Sequence, residues 1–219
     1  MSSVQPNEKV LRTAGRERRR AFVEAATRLF LEKGFHAVSI DAIVKAAGGS
    51  KASLYSYFGN KEALFGAVVE ERARHFLETV TTGTAAAKSP EIALREMGRR
   101  FISLATRPDA LALYRVVIAE APRLPELAKM FFDSGPARTQ RALADYLRHQ
   151  HEAGVMHIPD PAASAEHLLG LLMGLFHLRA VLNLDTGDAE THVDGAVTAF
   201  LAACGRPAAA SGGSRGIRN

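Results

Sequence analysis

The strongest constraint on the fold is a succession of helix breaks between residues 34 and 60. Gly34 is placed to end a first helix and Gly48-Gly49 to end a second. Three further helices each begin after a residue whose side chain can cap a free backbone N–H, namely Ser39, Ser50 and Asn60. Only short helices fit between these breaks. The sequence therefore predicts consecutive helices joined by tight turns, as in a helix-turn-helix.

The rest of the chain also has apolar residues at helical spacing. The first helix, predicted from Arg16 to Lys33, has one apolar stripe, formed by Phe22, Ala25, Ala26, Leu29 and Phe30. No segment shows sustained two-residue alternation, and no Asn-Gly or Asp-Gly dipeptide joins two alternating segments. Later helices begin at Pro90, Pro108, Pro125, Pro136 and near Pro161. We predict an all-α protein with a flexible arm at 1–14 and a Gly- and Ser-rich disordered tail at 206–219.

Positive charge is concentrated in the first third of the chain. Residues 1–65 carry 11 Lys and Arg against 6 Asp and Glu, and the whole chain of 219 residues has a formal net charge of +5. All of the excess positive charge therefore lies in the part that holds the short helices. This asymmetry favours an N-terminal unit that binds a polyanion, although a chance surplus of solvated charge would give the same totals.

The third helix, residues 51–58, has an unusual distribution of side chains. At about 100° per residue, Leu54 and Phe58 share the face that would pack on the core. The opposite face holds small and hydroxyl-bearing residues, Ala52, Ser53 and Ser56. Tyr55 and Tyr57 fall on the flanks, and Lys51 lies at the N-terminal tip. Such a helix fits a DNA major groove, with hydroxyls at base edges and tyrosines at phosphates; the alternative is a small packing helix with solvated tyrosines.

Residues 39–65 resemble the tetracycline-repressor (TetR) family of transcriptional regulators in the segment SIDAIVKAAGGSKASLYSYFGNKEALF. The family pattern is a capped second helix, then Ala-Gly-x-Ser, Leu-Tyr-x-x-Phe and Lys-Glu-x-Leu, and residues 22–35 are similar to its first helix. One departure is Gly49, which stands where the family usually has an apolar residue and which predicts a slightly looser turn. Residues 114–147 resemble the AefR-like subgroup.

The resemblance implies a cytoplasmic homodimer that binds a palindromic double-stranded DNA operator and is released by a small, largely apolar effector. Bases would be contacted by Lys51, Ala52, Ser53 and Ser56. Phosphates would be held by Ser39, Ser53, Tyr55, Tyr57 and Lys61. The chain would then divide into the arm, a DNA-binding domain at 15–65, an effector-binding and dimerisation domain at 66–205, and the tail.

The resemblance also implies helices that surround an effector in the C-terminal part. Their aromatic, Met and other candidate residues are Phe101, Tyr114, Ile118, Phe131, Phe132, Met173 and His177. Residues of these types at helical spacing commonly belong to plain core, so a core role is the alternative for each. Arg115 and Arg179 would suit an anionic effector or ordinary salt bridges.

A dimer interface is predicted on helix 163–183 together with helix 188–203. The segment EHLLGLLMGLFHLRAVL, residues 166–182, is apolar on more than one face and needs a second surface to cover it. Gly170 and Gly174 share a face, and each costs about 1 kcal/mol relative to alanine inside a helix. Close approach of a partner helix would offset that cost. The alternatives are a neighbouring helix of the same chain, or open space for a ligand.

Several other classes of site have little support in the sequence. His149, His151 and His157 have no carboxylate or thiolate at ligand spacing, and no nucleophile elbow, P-loop or dinucleotide fingerprint is present. We therefore expect no enzyme, no metal and no cofactor, and we expect Cys204 to be a bystander. The longest apolar run, 168–176, is too short to span a bilayer.

Three functional hypotheses remain open at this point. The favoured one is a ligand-responsive, DNA-binding transcriptional regulator that represses, and an activator of the same fold is its alternative. A helical enzyme is disfavoured by the missing catalytic constellation. A small-molecule binding protein without DNA contact is disfavoured by the basic N-terminal third. Repression rests on the family alone.

Overall fold

The computed structural model describes residues 8–81 and 89–204, and within these ranges the protein is all-α and has no strand. Its helices in chain order are α1 (Glu8–Lys33), α2 (Ile40–Ala47), α3 (Lys51–Phe58), α4 (Lys61–Thr81), α5 (Pro90–Ala105), α6 (Pro108–Glu120), α7 (Pro125–Ser134), α8 (Pro136–Glu152), α9 (Pro161–Val181) and α10 (Ala189–Ala203). The predicted all-α class is confirmed.

Helix starts follow the capping residues that the sequence contains. Ser39 and Ser50 accept backbone N–H groups three residues further on at 3.2 and 3.1 Å, and Asn60 does so at 2.7 Å. Proline is the first residue of α5, α6, α7, α8 and α9. Because capping and proline starts are local properties of the sequence, the predicted starts of α2 through α8 agree closely with the observed ones.

The first helix is longer than predicted. It begins at Glu8, before the predicted start at Arg16, so residues 8–14 are helical where the sequence predicted a flexible arm. Good helix formers, Lys, Leu and Arg, fill this stretch, and Gly15 alone does not end the helix. Residues 1–7 of the predicted arm, residues 82–88 between α4 and α5, and the predicted tail lie outside the described residues.

The helices group into two compact units. The first unit contains α1, α2, α3, α4 as far as Leu77, α6 and α7. The second contains the end of α4 together with α5, α8, α9 and α10. Packing therefore groups α6 and α7 with the helix-turn-helix, whereas the domain division at residue 65, which follows chain order, stays a prediction.

An aromatic cluster organises the core of the first unit. The rings of Phe30, Phe35 and Phe65 lie with centroids 5.1 to 5.5 Å apart. They join α1, the loop that follows it and α4, and all three side chains are buried. Offset and edge-on ring pairs of this kind stabilise a core beyond the area that they bury. The helix-turn-helix thus packs on a buried cluster of aromatic rings.

In the second unit, α5, α9 and α10 pack closely. A Cβ placed on Gly98 of α5 would lie only 2.8 Å from Val193 Cγ1 and 3.3 Å from Leu172 Cδ2, so the absence of a side chain permits the approach of α9 and α10. Arg95 on α5 adds ion pairs with Glu91 at 2.8 Å and with Asp194 at 2.9 Å. The second of these joins α5 to α10.

Helix α9 is interrupted in its middle, which the sequence did not predict. Gly174 has φ 29° and ψ −137°, outside the helical region. His192 of α10 lies beside the interruption, with Nε2 2.8 Å from the Leu172 carbonyl oxygen and its ring stacked on Phe176 at 4.5 Å. A positive φ is a conformation that glycine adopts at little cost. The backbone of α9 itself therefore explains why residue 174 is glycine.

Candidate nucleic-acid interface

The outward face of α3 is the centre of the candidate site. Leu54 and Phe58 are buried in the core of the first unit, as the helical spacing predicts. The remaining side chains of the helix are at or near the surface, with Ser53 half-buried and the others exposed. Burial of Leu54 and Phe58 therefore fixes which face α3 turns outward, and that face carries small groups and hydroxyls.

The serines of the helix-turn-helix are already hydrogen-bonded within the protein, but each keeps capacity for another partner. Ser39 and Ser50 accept the backbone N–H groups of Ala42 and Ser53. Because a hydroxyl that accepts one hydrogen bond keeps its own hydrogen to donate, Ser39 can still donate to a phosphate oxygen. Ser56 donates to the Ser53 carbonyl at 2.8 Å, and its lone pairs stay available to accept.

The two tyrosines of α3 are not equivalent. Tyr55 is 46% exposed, and Tyr57 is 37% exposed. The Tyr57 ring lies 6.4 Å from the Phe22 ring and 6.2 Å from the Phe58 ring, so it leans on α1. Its hydroxyl also lies 3.5 Å from the position that a Cβ on Gly15 would occupy. Tyr57 thus has a packing role on α1 in addition to any contact outside the protein.

Lys51, predicted to contact bases, is paired inside the helix-turn-helix. Its Nζ lies 2.7 Å from Asp41 Oδ1 of α2, and both side chains are exposed. The hydrogen bond and the charge of Asp41 raise the pKa of Lys51 above its ordinary value. The carboxylate therefore holds the ammonium group of Lys51 close to the N-terminal tip of α3 and fully charged.

Lys61, predicted to hold a phosphate, lies against an aromatic ring. Its Nζ is 4.4 Å from the centroid of Phe35, a cation–π distance. The group is half-buried, and this burial lowers the pKa of Lys61 below its ordinary value. The ring orients the lysine at the start of α4, the helix that follows α3 directly.

The turn between α2 and α3 is held from α1. Gly48 and Gly49 have φ values of +68° and +123°. Arg18 donates from its guanidinium to the Gly48 carbonyl oxygen at 2.9 Å. A Cβ placed on Gly49 would be 3.2 Å from Phe22 Cζ, so the Phe22 ring lies directly against the turn.

The candidate effector residues are divided between the two units. Tyr114, Ile118, Phe131 and Phe132 belong to the first unit, where the rings of Tyr114 and Phe131 are 6.1 Å apart and Ile118 and Phe132 are exposed. Within the second unit, Phe101 and His177 are buried and Met173 is half-buried, and burial lowers the pKa of His177. An effector role for any of them stays a prediction.

A second candidate surface lies on α9. Its exposed large apolar residues, together with the C-cap residue, lie on both sides of the interruption at Gly174: Leu171, Leu175, Leu178 and Leu182. Gly170 and Gly174 are exposed beside them, and no atom of the described residues outside the local helix lies within 4 Å of a Cβ placed on either glycine. The predicted alternative of a neighbouring helix from the same chain is therefore not what surrounds these glycines.

Sequence reasoning missed the internal partners of the candidate residues. Asp41, Phe35 and Arg18 each contact a residue outside the helix or loop in which they lie, and periodicity within one helix carries no information about such pairs. One signal was available. Asp41 is the only acidic residue between residues 34 and 60, so it is the natural partner for a lysine in this segment.

Two family models match the chain. The model for bacterial regulatory proteins of the tetR family matches residues 22–68, and the model for the AefR-like transcriptional repressor C-terminal domain matches residues 92–206. The first match contains α2 and α3 complete. The second covers α9 and α10, so the family assignment extends to both candidate surfaces.

Curated relatives are similar over part of the chain. The regulator BetI of Rhizobium meliloti is 30% identical over 118 residues, which is 52% of this chain and 56% of BetI. The repressor AcnR of Corynebacterium efficiens is 35% identical over 63 residues, 29% of this chain and 34% of AcnR. YdgC of Bacillus subtilis is 34% identical over 73 residues, 32% of this chain and 37% of YdgC. The chain thus spans from about a third to about half of the length of these relatives.

Solved structures match along nearly their whole length. A TetR-family transcriptional regulator from Mesorhizobium loti superposes with a TM-score of 0.80 at 32% identity and covers 86% of this chain and 97% of its own. The flavonoid-responsive regulator FrrA superposes with a TM-score of 0.76 at 36% identity and covers 88% of this chain and 98% of its own.

None of the described helices is long and apolar enough to cross a membrane, and residues 8–81 and 89–204 contain no group of three or more His, Cys, Asp or Glu side chains placed to hold a metal ion. Two family models that together span most of the chain, and two solved relatives above 30% identity, agree with the capped helix-turn-helix found here. The chain therefore belongs to the TetR family of DNA-binding transcriptional regulators, which are not enzymes.

Proposed function

We propose that this chain is a homodimeric repressor that acts in the cytoplasm, binds a palindromic operator through α3 and is released by a small, largely apolar effector. The observation that carries the DNA contact is the outward face of α3, which has no large side chain between its two flanking tyrosines. Residues 15–65 form the DNA-binding domain in this proposal, and residues 66–205 bind the effector and the partner subunit.

The contacts of α3 follow from its geometry. Ala52 and Ser53 at the start of the helix and Ser56 one turn later face the bases, where hydroxyls meet base edges and the alanine methyl meets thymine. Tyr55 lies on a flank within reach of a phosphate. The N-terminal turn, with Lys51 at its tip, is a favourable place for a phosphate because its N–H groups and charge point outward.

Backbone contacts are assigned to residues outside the reading face. Ser39 donates its free hydroxyl hydrogen, Tyr57 donates from beside α1, and Lys61 offers its ammonium group from above the Phe35 ring. Such contacts set the register of the protein on the duplex without reading its sequence.

The dimer is assigned to the leucine stripe of α9. Leu171 precedes the interruption at Gly174, Leu175, Leu178 and the C-cap residue Leu182 follow it, and all four are exposed, with Leu175 at 67%. An exposed apolar row of this length is typical of a surface that a partner covers. A two-fold axis would place two copies of α3 at half-sites about 34 Å apart, one turn of DNA.

The neighbouring helix α10 offers a complementary surface. Its exposed positions include small residues one turn apart, Gly195, Ala199 and Ala202, and no described residue outside the local helix has an atom within 4 Å of a Cβ placed on Gly195. In a two-fold dimer, the leucines of one subunit would pack over the small residues of the other. The glycines Gly170 and Gly174 would let the two copies of α9 approach.

The effector is proposed to be a flat aromatic compound, with the flavonoids as the first class to test. FrrA is flavonoid-responsive, and it is similar to this chain along nearly its whole length. Within the second unit, Phe101 and Met173 are aromatic or thioether-bearing and suit ring contacts. His177 of the same unit is buried with a lowered pKa, so it would offer a neutral imidazole. Tyr114, Ile118, Phe131 and Phe132 belong to the first unit and are a separate candidate set.

Repression is favoured over activation by the C-terminal half. The matching model there describes an AefR-like repressor domain. The curated relatives do not discriminate, because the chain is similar to the repressor AcnR at 35% identity over 63 residues and to the activator FasR of Mycolicibacterium smegmatis at 36% over 64 residues. A reporter fused to the promoter that the chain naturally controls separates the two, since loss of a repressor raises its output and loss of an activator lowers it.

Removal of the Tyr55 hydroxyl should weaken binding to all sequences equally. We expect Tyr55→Phe to reduce DNA affinity about tenfold, the effect of losing one hydrogen bond to a charged group. The loss should be the same on a duplex that the wild-type protein selects from random sequences and on a scrambled duplex. Gel shifts on both duplexes measure this. Tyr146→Phe, on α8, is the matched control. Wild-type affinity for Tyr55→Phe would contradict the phosphate contact.

Neutralising Asp41 should release Lys51 toward DNA. For Asp41→Asn we expect up to about fivefold tighter binding, the upper range for an exposed ion pair, and a salt dependence steeper by about one phosphate contact. Asp133→Asn, which frees Lys129 on α7 from a pair of the same kind, is the control. If Asp41→Asn has the same effect in a Lys51→Ala background, the carboxylate does not act through Lys51.

A charge in the leucine stripe should separate the subunits. We expect Leu175→Glu to be a helical monomer by sedimentation and circular dichroism, with operator affinity reduced because only one half-site is held. Val155→Glu, at another exposed apolar residue, should leave the dimer intact. Gly174→Leu is unsuitable for this test because the positive φ at residue 174 would strain any side chain. A Leu175→Glu variant that stays dimeric would move the interface elsewhere.

An effector should both stabilise the protein and release DNA. Nearly complete release requires the effector to bind the DNA-free form about 10⁴-fold more tightly than the DNA-bound form, a difference of about 5.5 kcal/mol. We expect flavonoids to raise the melting temperature and to compete with the selected duplex, and Met173→Ala to weaken both effects. Aliphatic compounds of similar size are the ligand control. Flavonoids that raise the melting temperature yet leave DNA bound would contradict induction.

A further inference from the structure

We propose that Arg18 of α1 is a positioning residue for the DNA-reading helix, and that it takes over the task of the apolar side chain that is missing at Gly49. The sequence alone predicted a looser turn at this glycine. In the structure the turn is instead held by contacts from α1. This inference rests on α3 being the helix that reads DNA.

The hydrogen bond of Arg18 meets a need at the end of α2. The last carbonyl groups of a helix have no partner within the helix, and Gly48, which ends α2, leaves the helical conformation with φ +68°. Arg18 donates to the Gly48 carbonyl oxygen at 2.9 Å across 30 residues of chain. The cation also lies at the negative end of the α2 dipole, which favours it.

The side chains of α1 also fill the space beside Gly49. A Cβ on this residue would be 3.2 Å from Phe22 Cζ, 3.5 Å from an Arg18 guanidinium nitrogen and 3.7 Å from Arg18 Cδ. The φ of +123° excludes most side chains from this position. Packing that a residue of the turn would otherwise provide therefore comes from Phe22 and from the aliphatic stem of Arg18.

The position of the turn determines where α3 begins. Ser50 follows Gly49 directly, and its Oγ caps α3 by accepting the Ser53 N–H at 3.1 Å. Lys51 is the first residue of the helix. A turn that is free to move would therefore displace the cap, the helix start and the reading face together, and Arg18 prevents this.

A positioning role and a phosphate contact predict different results for Arg18→Gln. The probes are the duplex selected by the wild-type protein and a scrambled duplex of the same composition. For positioning, we expect affinity for the selected duplex to fall about tenfold, the loss of one charge-assisted hydrogen bond, with a smaller loss on the scrambled duplex and no change in salt slope. Arg20→Gln, on the same helix and paired with Glu24 at 2.6 Å, is the matched control.

The free protein gives a readout that does not depend on DNA. Hydrogen exchange at the Ser53 amide should be faster in Arg18→Gln than in the wild type and unchanged in Arg20→Gln, because only the former loosens the Ser50 cap. Failure of the wild type to bind any duplex would count against the proposed function and leave this exchange result intact.

Two outcomes would overturn the positioning role. One is that Arg18→Gln lowers the salt dependence of binding by about one phosphate contact and leaves the preference for the selected duplex unchanged. A direct phosphate contact would behave in this way. The other is unchanged exchange at Ser53. If Arg18→Gln does not fold, Arg18→Lys decides by the same exchange measurement, because a single ammonium donor holds the turn less firmly than the guanidinium.

Discussion

Docking of Leu54 and Phe58 into the aromatic core is the interaction on which the DNA-binding unit depends. Helix α3 has 8 residues, and isolated helices shorter than about 12 residues are marginal in water. Its shape therefore comes from tertiary packing, and both anchoring side chains are buried. Once they are in place, the rest of α3 needs no apolar residue to hold it. That freedom is what allows its outward face to consist of small and hydroxyl-bearing side chains.

Features that depend on neighbours in sequence were predictable. Serine, asparagine and proline at helix starts, glycine at helix ends and the buried face of α3 follow from rules that act within one turn of helix. The fold class and the helix boundaries were therefore largely correct. The predicted start of α1 is wrong because the polarity of residues 8–14 indicates an arm, whereas their helix propensity extends the helix that follows.

Features that join different helices were not predictable in the same way. The Lys51–Asp41 pair, the position of Lys61 over Phe35 and the Arg18 hydrogen bond each connect residues that periodicity within one helix treats separately. The interruption of α9 was not predictable from the sequence for a different reason. Glycine at position 174 fits a close helix contact as well as it fits a positive φ, and only the backbone geometry distinguishes the two.

Some of the candidate effector residues lie in the same compact unit as the DNA-reading helix α3. Helix α6 carries Tyr114 and Ile118, and polar contacts attach its two ends to α4 and to the α1–α2 loop. Asp109 at its start lies 2.7 Å from Arg72 of α4, and Glu120 at its end has Oε2 2.6 Å from His36 Nε2, in the loop before α2. An effector that displaced α6 would therefore pull on α4 and on the α1–α2 loop. Coupling from that site to α3 would need only the packing of one unit.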